Sequence, residues 1–229
     1  MSGSKAGGSI TPIAAGRTSL AGTQDKLSAG RARTLPDQRT HRRAGPLWSH
    51  WDMTTVTVDR AGLWDAEALS DVAAATFPLA CPPGSDMEDI EVFLAEVLSG
   101  ERFGEYLSDP ARTVLKAVAD GEIVGYAILH SGPPSDPAVA TAVALDPVLE
   151  ISKMYVLPGH HGTGVSSALM HAALEQARGG DYAGVWLGVN QENLRAQRFY
   201  AKYGFEQVGT RTFTVGRQVH HDFVLRLRF

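Results

Sequence analysis

The sequence predicts one mixed α/β domain starting near residue 54, and three observations carry that prediction. Strand-like and helix-like stretches follow one another in the order β α α β β β α β α β β. Asp120-Gly121 sits between two apolar runs, the pattern of a two-residue hairpin turn. The stretch "VLPGHHGTGVSSAL", residues 156–169, joins a strand to a helix through closely spaced glycines. A chain of 229 residues suffices for one well-buried core and is short for two.

Taken in order, "TTVTVDR" alternates as a strand, and "LWDAEALSDVAAATF" has helical spacing through Leu63, Leu69, Val72 and Ala73. "CPPG" breaks that helix. "SDMEDIEVFLAEVL" opens with Ser85 and Glu88 in capping-box spacing and continues as a second helix. "RTVLKAVADGEIVGYAILH" is the hairpin, and "SGPPSDPAVATAVALDP" reads as a Pro-rich loop. "VLEISKMYVL" is a strand; period 2 puts Glu150, Ser152 and Met154 on one face of it. After the glycine turn come the helix "VSSALMHAALEQAR", the buried strand "AGVWLGV", and the helix "NLRAQRFYAKYG" ended by Gly204. "FEQVGTRTFTVGRQVHHDFVLRLRF" is a closing strand pair, with a turn expected over Phe213, Thr214, Val215 and Gly216.

Composition narrows the function classes. No apolar run approaches the roughly 20 residues of a membrane span, and the N-terminus has no apolar leader, so a cytoplasmic protein without a membrane partner is expected. Cys81 is the single cysteine, which excludes an intrachain disulfide and a four-cysteine zinc site. Residues 1–53 carry 8 Lys+Arg against 3 Asp+Glu, and the remainder 13 against 22. An acidic body argues against nucleic acid as a partner. Residues 1–53 lack periodicity and are expected to be a disordered extension, with Met53 opening the functional domain over 54–229. Within the extension, "TSLAGTQDKL" (18–27) resembles the nucleotide-loop segment of HipA-type kinases; no kinase catalytic loop follows, so it reads as a remnant or a mis-set start.

The glycine turn suits an anion, because a helix N-terminus offers unpaired N–H groups and the positive end of its dipole. Gly162 and Gly164 equally suit a bare tight turn. A P-loop needs Gly-Lys-Ser/Thr, and here Val165-Ser166 follows Gly164. A dinucleotide fingerprint needs a third glycine where Ser167 stands.

The turn resembles the acyl-CoA loop of the GCN5-related N-acetyltransferase (GNAT) family, whose form is Gln/Arg-x-x-Gly-x-Gly/Ala after a Val-x-Pro. Val156-Leu157-Pro158 is the lead-in, His161 takes the Gln/Arg position, Gly164 the glycine, and Ser166 the last position. Downstream, "NLRAQRFYAKYGF" is similar to the family's Asn-helix signature at Asn193, Ala196, Phe199, Tyr200, Gly204 and Phe205. "LEISKMYVL", "VWLGVNQEN" and "GFEQVGTRTFTVG…DF", the last ending at Asp222-Phe223, look like the branch of bacterial polyamine N-acetyltransferases. The sequence departs from that branch at "RQVHH", where Arg217 would repel a polycation.

The resemblance implies a GNAT fold: a mixed central sheet of about six or seven strands with about four helices, splayed to hold acyl-CoA. It implies acetyl-CoA as co-substrate and direct acetyl transfer to a primary amine, with a small polyamine-like acceptor favoured. A protein or peptide amine and a non-catalytic acyl-CoA-binding module stay open as alternatives, and so does a homodimer. Glu150 is implied as the base, or else it pairs with a nearby cation. Tyr200 is implied as the acid toward the CoA sulfur, since a phenol with pKa about 10 is protonated at neutral pH; otherwise it is a core tyrosine. Asn193 is implied to hydrogen-bond the pantetheine or phosphate arm. Main-chain groups of Met154 and Val156 would pair with the pantetheine, and N–H groups from His161 through Gly162, Thr163, Gly164, Val165 and Ser166 would hold the pyrophosphate, with the Ser167 hydroxyl adding a donor. The His161 ring either donates to phosphate, with a charge when protonated, or merely turns; His160 reads as a solvated turn residue. Phe77, Asp86, Glu88 and Asp89 are candidates to hold a cationic amine, unless the acids simply favour a helix N-terminus. His220 and His221 point to opposite faces of a strand, so one of them could line the acceptor cavity and no shared metal site is expected.

Overall fold

A computed structural model describes residues 55–81, 84–215 and 217–229. The kinase-like segment 18–27 and the extension 1–53 lie outside them. The described chain runs β1 (Thr57–Arg60), α1 (Ala66–Ala80), α2 (Met87–Val97), α3 (Gly100–Ser108), β2 (Arg112–Ala119), β3 (Glu122–Ser131), α4 (Pro137–Val143), β4 (Val148–Val156), α5 (Val165–Gly179), β5 (Gly184–Asn190), α6 (Leu194–Lys202), β6 (Glu206–Val215) and β7 (Gln218–Arg228). The strands form one seven-stranded sheet in the order β1-β2-β3-β4-β5-β7-β6. Every pairing is antiparallel except β4 with β5.

The hairpin forms as its sequence predicts. Ala119 pairs with Glu122, and the two loop residues Asp120 and Gly121 both take positive φ, 53° and 84°. Two helices depart from the expected order. Residues 100–108 form α3, which Ser99 caps through the N–H of Arg102. Inside the Pro-rich segment, Asp136 accepts from the N–H of Ala138 and Pro137 opens α4, an N-cap followed by a proline at the first helical position. The cap of α2 is Asp86, which accepts from Glu88 N; Ser85 does not take that role. Phe213 to Val215, expected in a turn, are the last residues of β6 and pair with His220, Val219 and Gln218 of β7.

The sheet has a helical layer on each face. On one, α5 lays Leu169, Met170 and Ala173 against Leu129, Ile151, Met154 and Leu187, and Tyr200 of α6 joins them. On the other, α1 to α3 bring Leu69, Phe77, Phe93 and Phe103 against Tyr126, Ile128 and Tyr155. Phe77 and Phe93 stack with ring centroids 4.5 Å apart. A smaller cluster of Val139, Val143, Val148, Trp186 and Val224 seats α4.

Leu169 has no exposed surface and anchors α5, whose N-terminus forms the glycine turn. Leu169→Ala is expected to cost about 2–5 kcal/mol of unfolding free energy, measured by urea denaturation at unchanged slope.

Candidate active site

The site begins where two parallel strands part. The β4–β5 ladder covers only Val148–Glu150 against Gly184–Trp186, although both strands continue beyond it. Between β3 and β4 the register slips: Ile128 faces Lys153 and Leu129 faces Ile151, so Ser152 is the extra residue of a bulge. The slip breaks the period-2 expectation for this strand. Leu149, Ile151, Met154 and Val156 point into the α5 layer, whereas Glu150 and Tyr155 turn to the α1–α3 side. Glu150 and Met154 therefore occupy opposite faces.

On the Glu150 side lies a cleft of about 680 Å³. Phe93, Val97 and Phe213 supply apolar wall, and the exposed carboxylates of Glu96 and Asp136 stand at its rim. Its floor is charged. His130 Nδ1 lies 3.7 Å from Glu150 Oε2. Arg211 NH2 lies 3.4 Å from Asp222 Oδ2, and its guanidinium carbon stands 5.4 Å from the centre of the Trp186 ring. A Cβ at Gly188 would collide with that guanidinium, so the glycine of "WLGV" makes room for an arginine from the neighbouring hairpin. Burial pushes the Asp222 carboxyl up to about 6 against the pull of Arg211. Burial pushes the Lys153 ammonium down to about 8; Glu150 opposes that shift, and Arg112 and Arg211 add to it. Sequence reading missed Arg211, Asp222 and Lys153. The bulge hides the face of Lys153, and the Arg211–Asp222 pair exists only once β6 lies on β7.

On the opposite face, the glycine turn closes β4. Gly162 and Gly164 take φ of 82° and 93°, with open space around both, so conformation and not crowding calls for glycine. Gly164 is the N-cap of α5, and Val165 behind it is fully buried. The Thr163 hydroxyl donates to the carbonyl of His160. Gly162, Gly164, Ser166 and Ser167 line a hollow of about 440 Å³ together with Arg195, Arg198 and Lys202. These three cations sit at i, i+3 and i+7 of α6, on one helical face aimed at the turn. That spacing was the signal available in the sequence. Nearby, Asn193 caps α6, its Oδ1 accepting from Ala196 N.

The His161 ring turns inward, and neither nitrogen has a partner among the described residues. Burial, then Arg195 and His160, lower its pKa, so the imidazole is neutral at pH 7. Tyr200 is fully buried among Met154, Val156, Leu187 and Val189, residues of the two strands whose ladder has ended.

Other expected contacts fall elsewhere. Phe77 is fully buried core. Asp86, Glu88 and Asp89 lie within 3.2 Å, 3.9 Å and 3.7 Å of the Arg217 guanidinium, so neither the acids nor the arginine presents a lone charge to the cleft. His220 stacks on Phe213 and, with His221, lines a separate hollow beside Asn190 and Glu192. Among the described residues there is no cluster of three or more metal-ligating side chains.

Residues 77–205 match the model of the Acetyltransferase (GNAT) family. The chain belongs to the GNAT acetyltransferases. An uncharacterised N-acetyltransferase of Mycobacterium tuberculosis is 51% identical over 161 residues, covering 70% of this chain and 96% of that relative. Two solved structures share the fold. PaiA N-acetyltransferase from Thermoplasma acidophilum, solved with coenzyme A, gives a TM-score of 0.60 at 19% identity, over 76% of this chain and 99% of its own. Arabidopsis thaliana NAA60, solved with a bisubstrate analogue, gives 0.59 at 17% identity, over 76% and 98%. Within this GNAT domain, Asp222 carries a folded pKa of about 6, above the ordinary 3.8. Its contribution to stability is full below the lower value and is lost as pH rises through the upper one. The stability of wild type relative to Asp222→Asn, from urea unfolding at several pH values, is therefore expected to fall by roughly 3 kcal/mol across that window. A pH-independent difference would contradict the buried-carboxylate reading.

Proposed function

We propose that this GNAT protein transfers the acetyl group of acetyl-CoA directly to the primary amine of a small acceptor. The observation that carries the reading is the parting of β4 and β5 immediately after Glu150, between a cation-lined glycine turn and a charged cleft. The turn and α6 fit the co-substrate. Gly162 and Gly164 at positive φ, with Ser166, bring main chain to the hollow, and Arg195, Arg198 and Lys202 supply counter-charge for phosphates; the His161 N–H instead donates to the carbonyl of Pro158 at 3.4 Å. The strand edge from Met154 to Val156 lies beyond the last β4–β5 pair, where a pantetheine arm could add like a strand. Asn193 serves this arrangement by holding the start of α6.

The co-substrate supplies the thioester. Glu150 takes the proton the acceptor ammonium must lose before its nitrogen can attack. Tyr200, on the opposite sheet face, donates a proton toward the departing sulfur. Base and acid thus approach the reacting line from two sides, which the bulge at Ser152 makes possible. A cysteine-linked intermediate is not needed. Cys81 is the chain's sole thiol, and burial pushes it up to about 11, so it holds little thiolate at neutral pH. The polyamine likeness supports a small amine over a peptide, and the Arg217 ion pairs lift the objection that this arginine would repel a cation.

The direct test is thiol release from acetyl-CoA across polyamines, amino acids, aminoglycosides and N-terminal peptides. Release with small amines is expected; silence with every acceptor would overturn the proposal. In the same assay Tyr200→Phe lowers kcat while KM for acetyl-CoA stays within about twofold, and Glu150→Gln lowers kcat/KM by about 10²–10⁴-fold. For the turn, calorimetry with CoA should show binding lost in Gly164→Val, because a β-branched residue is strained at φ of 93°. Binding should persist in Gly159→Ala, which meets open space at ordinary φ.

A further inference from the structure

The floor of the acceptor cleft presents groups of both charges, Glu150 and Arg211. Glu150 and Trp186 face each other across the last rung of the β4–β5 ladder. Arg211 stands over the same Trp186 ring, 5.4 Å from its centre, and lines the cleft with 11% of its side chain exposed. Its hold on Asp222 is loose, 3.4 Å, and Asp222 is fully buried behind it, so the cleft meets the guanidinium and not the carboxylate. Lys153 lies buried close to both Glu150 and Arg211. Glu150 and Arg211 thus line the floor with opposite charge, and Asp222 and Lys153 are buried behind them.

A ligand that enters must match both charges, because an uncompensated charge is costly in a site of low dielectric. A polycation would add positive charge beside Arg211 and Lys153. A simple monoamine, entering as its ammonium, would leave the guanidinium without a match on the ligand. A zwitterion adds one charge of each sign and meets an opposite partner at each end: ammonium to Glu150, carboxylate to Arg211. Guanidinium forks suit carboxylates in particular. Phe93, Val97 and Phe213 then offer wall to an apolar remainder.

We propose that the acceptor is an α-amino acid or a compound with the same pairing of primary amine and neighbouring carboxylate, bearing an apolar side chain. The inference rests on the acetyl-transfer reading of this cleft. In the transfer, a bond forms between the acceptor nitrogen and the acetyl carbon and the C–S bond of the thioester breaks; one ammonium proton passes to Glu150, Tyr200 protonates the departing sulfur so that CoA leaves as the thiol, and the second proton lost by the nitrogen restores the phenol.

The test compares thiol release for L-phenylalanine, L-leucine and L-methionine with release for their decarboxylated amines, their amides and spermidine. For at least one of the three, kcat/KM should exceed that of its amine and its amide by about tenfold or more, the scale of one hydrogen bond to a charged group. Arg211→Gln alone strands the buried Asp222 and endangers folding, so the informative variant is Arg211→Gln with Asp222→Asn, its fold checked by circular dichroism. In that variant the preference should shrink to about twofold or less. Equal or better turnover of the carboxylate-free amines, or a preference that survives in the double variant, would overturn the inference and leave acetyl transfer standing. Absence of release with every amine would overturn both.

Discussion

The short parallel ladder between β4 and β5 is the constraint on which the rest depends. Three residues of each strand pair, and then the ladder stops while both strands run on. A sheet that parts in its middle would expose backbone and apolar core together, and each loss must be covered. Here the α5 layer and Tyr200 close one face, and α2, α4 and the β6–β7 hairpin surround the other. The parting is stable because the hydrophobic clusters to either side are large and separately anchored. The proposed site sits where regular pairing ends, on strands anchored by those clusters.

The bulge at Ser152 sets which groups those are. One extra residue reverses the side-chain alternation of β4, so Glu150 looks into the cleft while Met154 supports α5. Without it, Glu150 would be driven into the apolar layer under α5, where an ionised carboxylate is costly. The chain thereby presents an acidic group on one side of the parting and a phenol on the other, from elements that differ widely in sequence position.

Charge is organised by burial more than by count. At the hairpin tip, Arg217 gathers Asp86, Glu88 and Asp89 in an exposed cluster whose chief effect is to tie β7 to the start of α2; such pairs contribute little energy each. At the cleft floor the same kinds of residue are buried, and the consequences differ. Asp222 and Lys153 both shift toward neutrality, and their partners Arg211 and Glu150 keep them from shifting further. Gly188 belongs to this arrangement through the space it leaves for Arg211.

Much was legible in the sequence because it is local. Asp120-Gly121 specifies its turn through left-handed φ values, the glycines at 162 and 164 do the same, and the apolar spacing of α5 and α6 names their inward faces. The family likeness rested on such local features, and the match over residues 77–205 agrees with it. The cationic face of α6 was also within reach by its spacing. Helices α3 and α4 were less visible, being short and polar or embedded among prolines, where a single cap and tertiary contact decide the outcome. Beyond the sequence lay the face of Glu150, the inward turn and neutrality of the His161 ring, and the meeting of Arg211 with Asp222 and Trp186. The division has a physical origin. Backbone preference and periodicity are properties of neighbouring residues, whereas strand register, burial and the pKa of a buried group depend on what distant segments place against them.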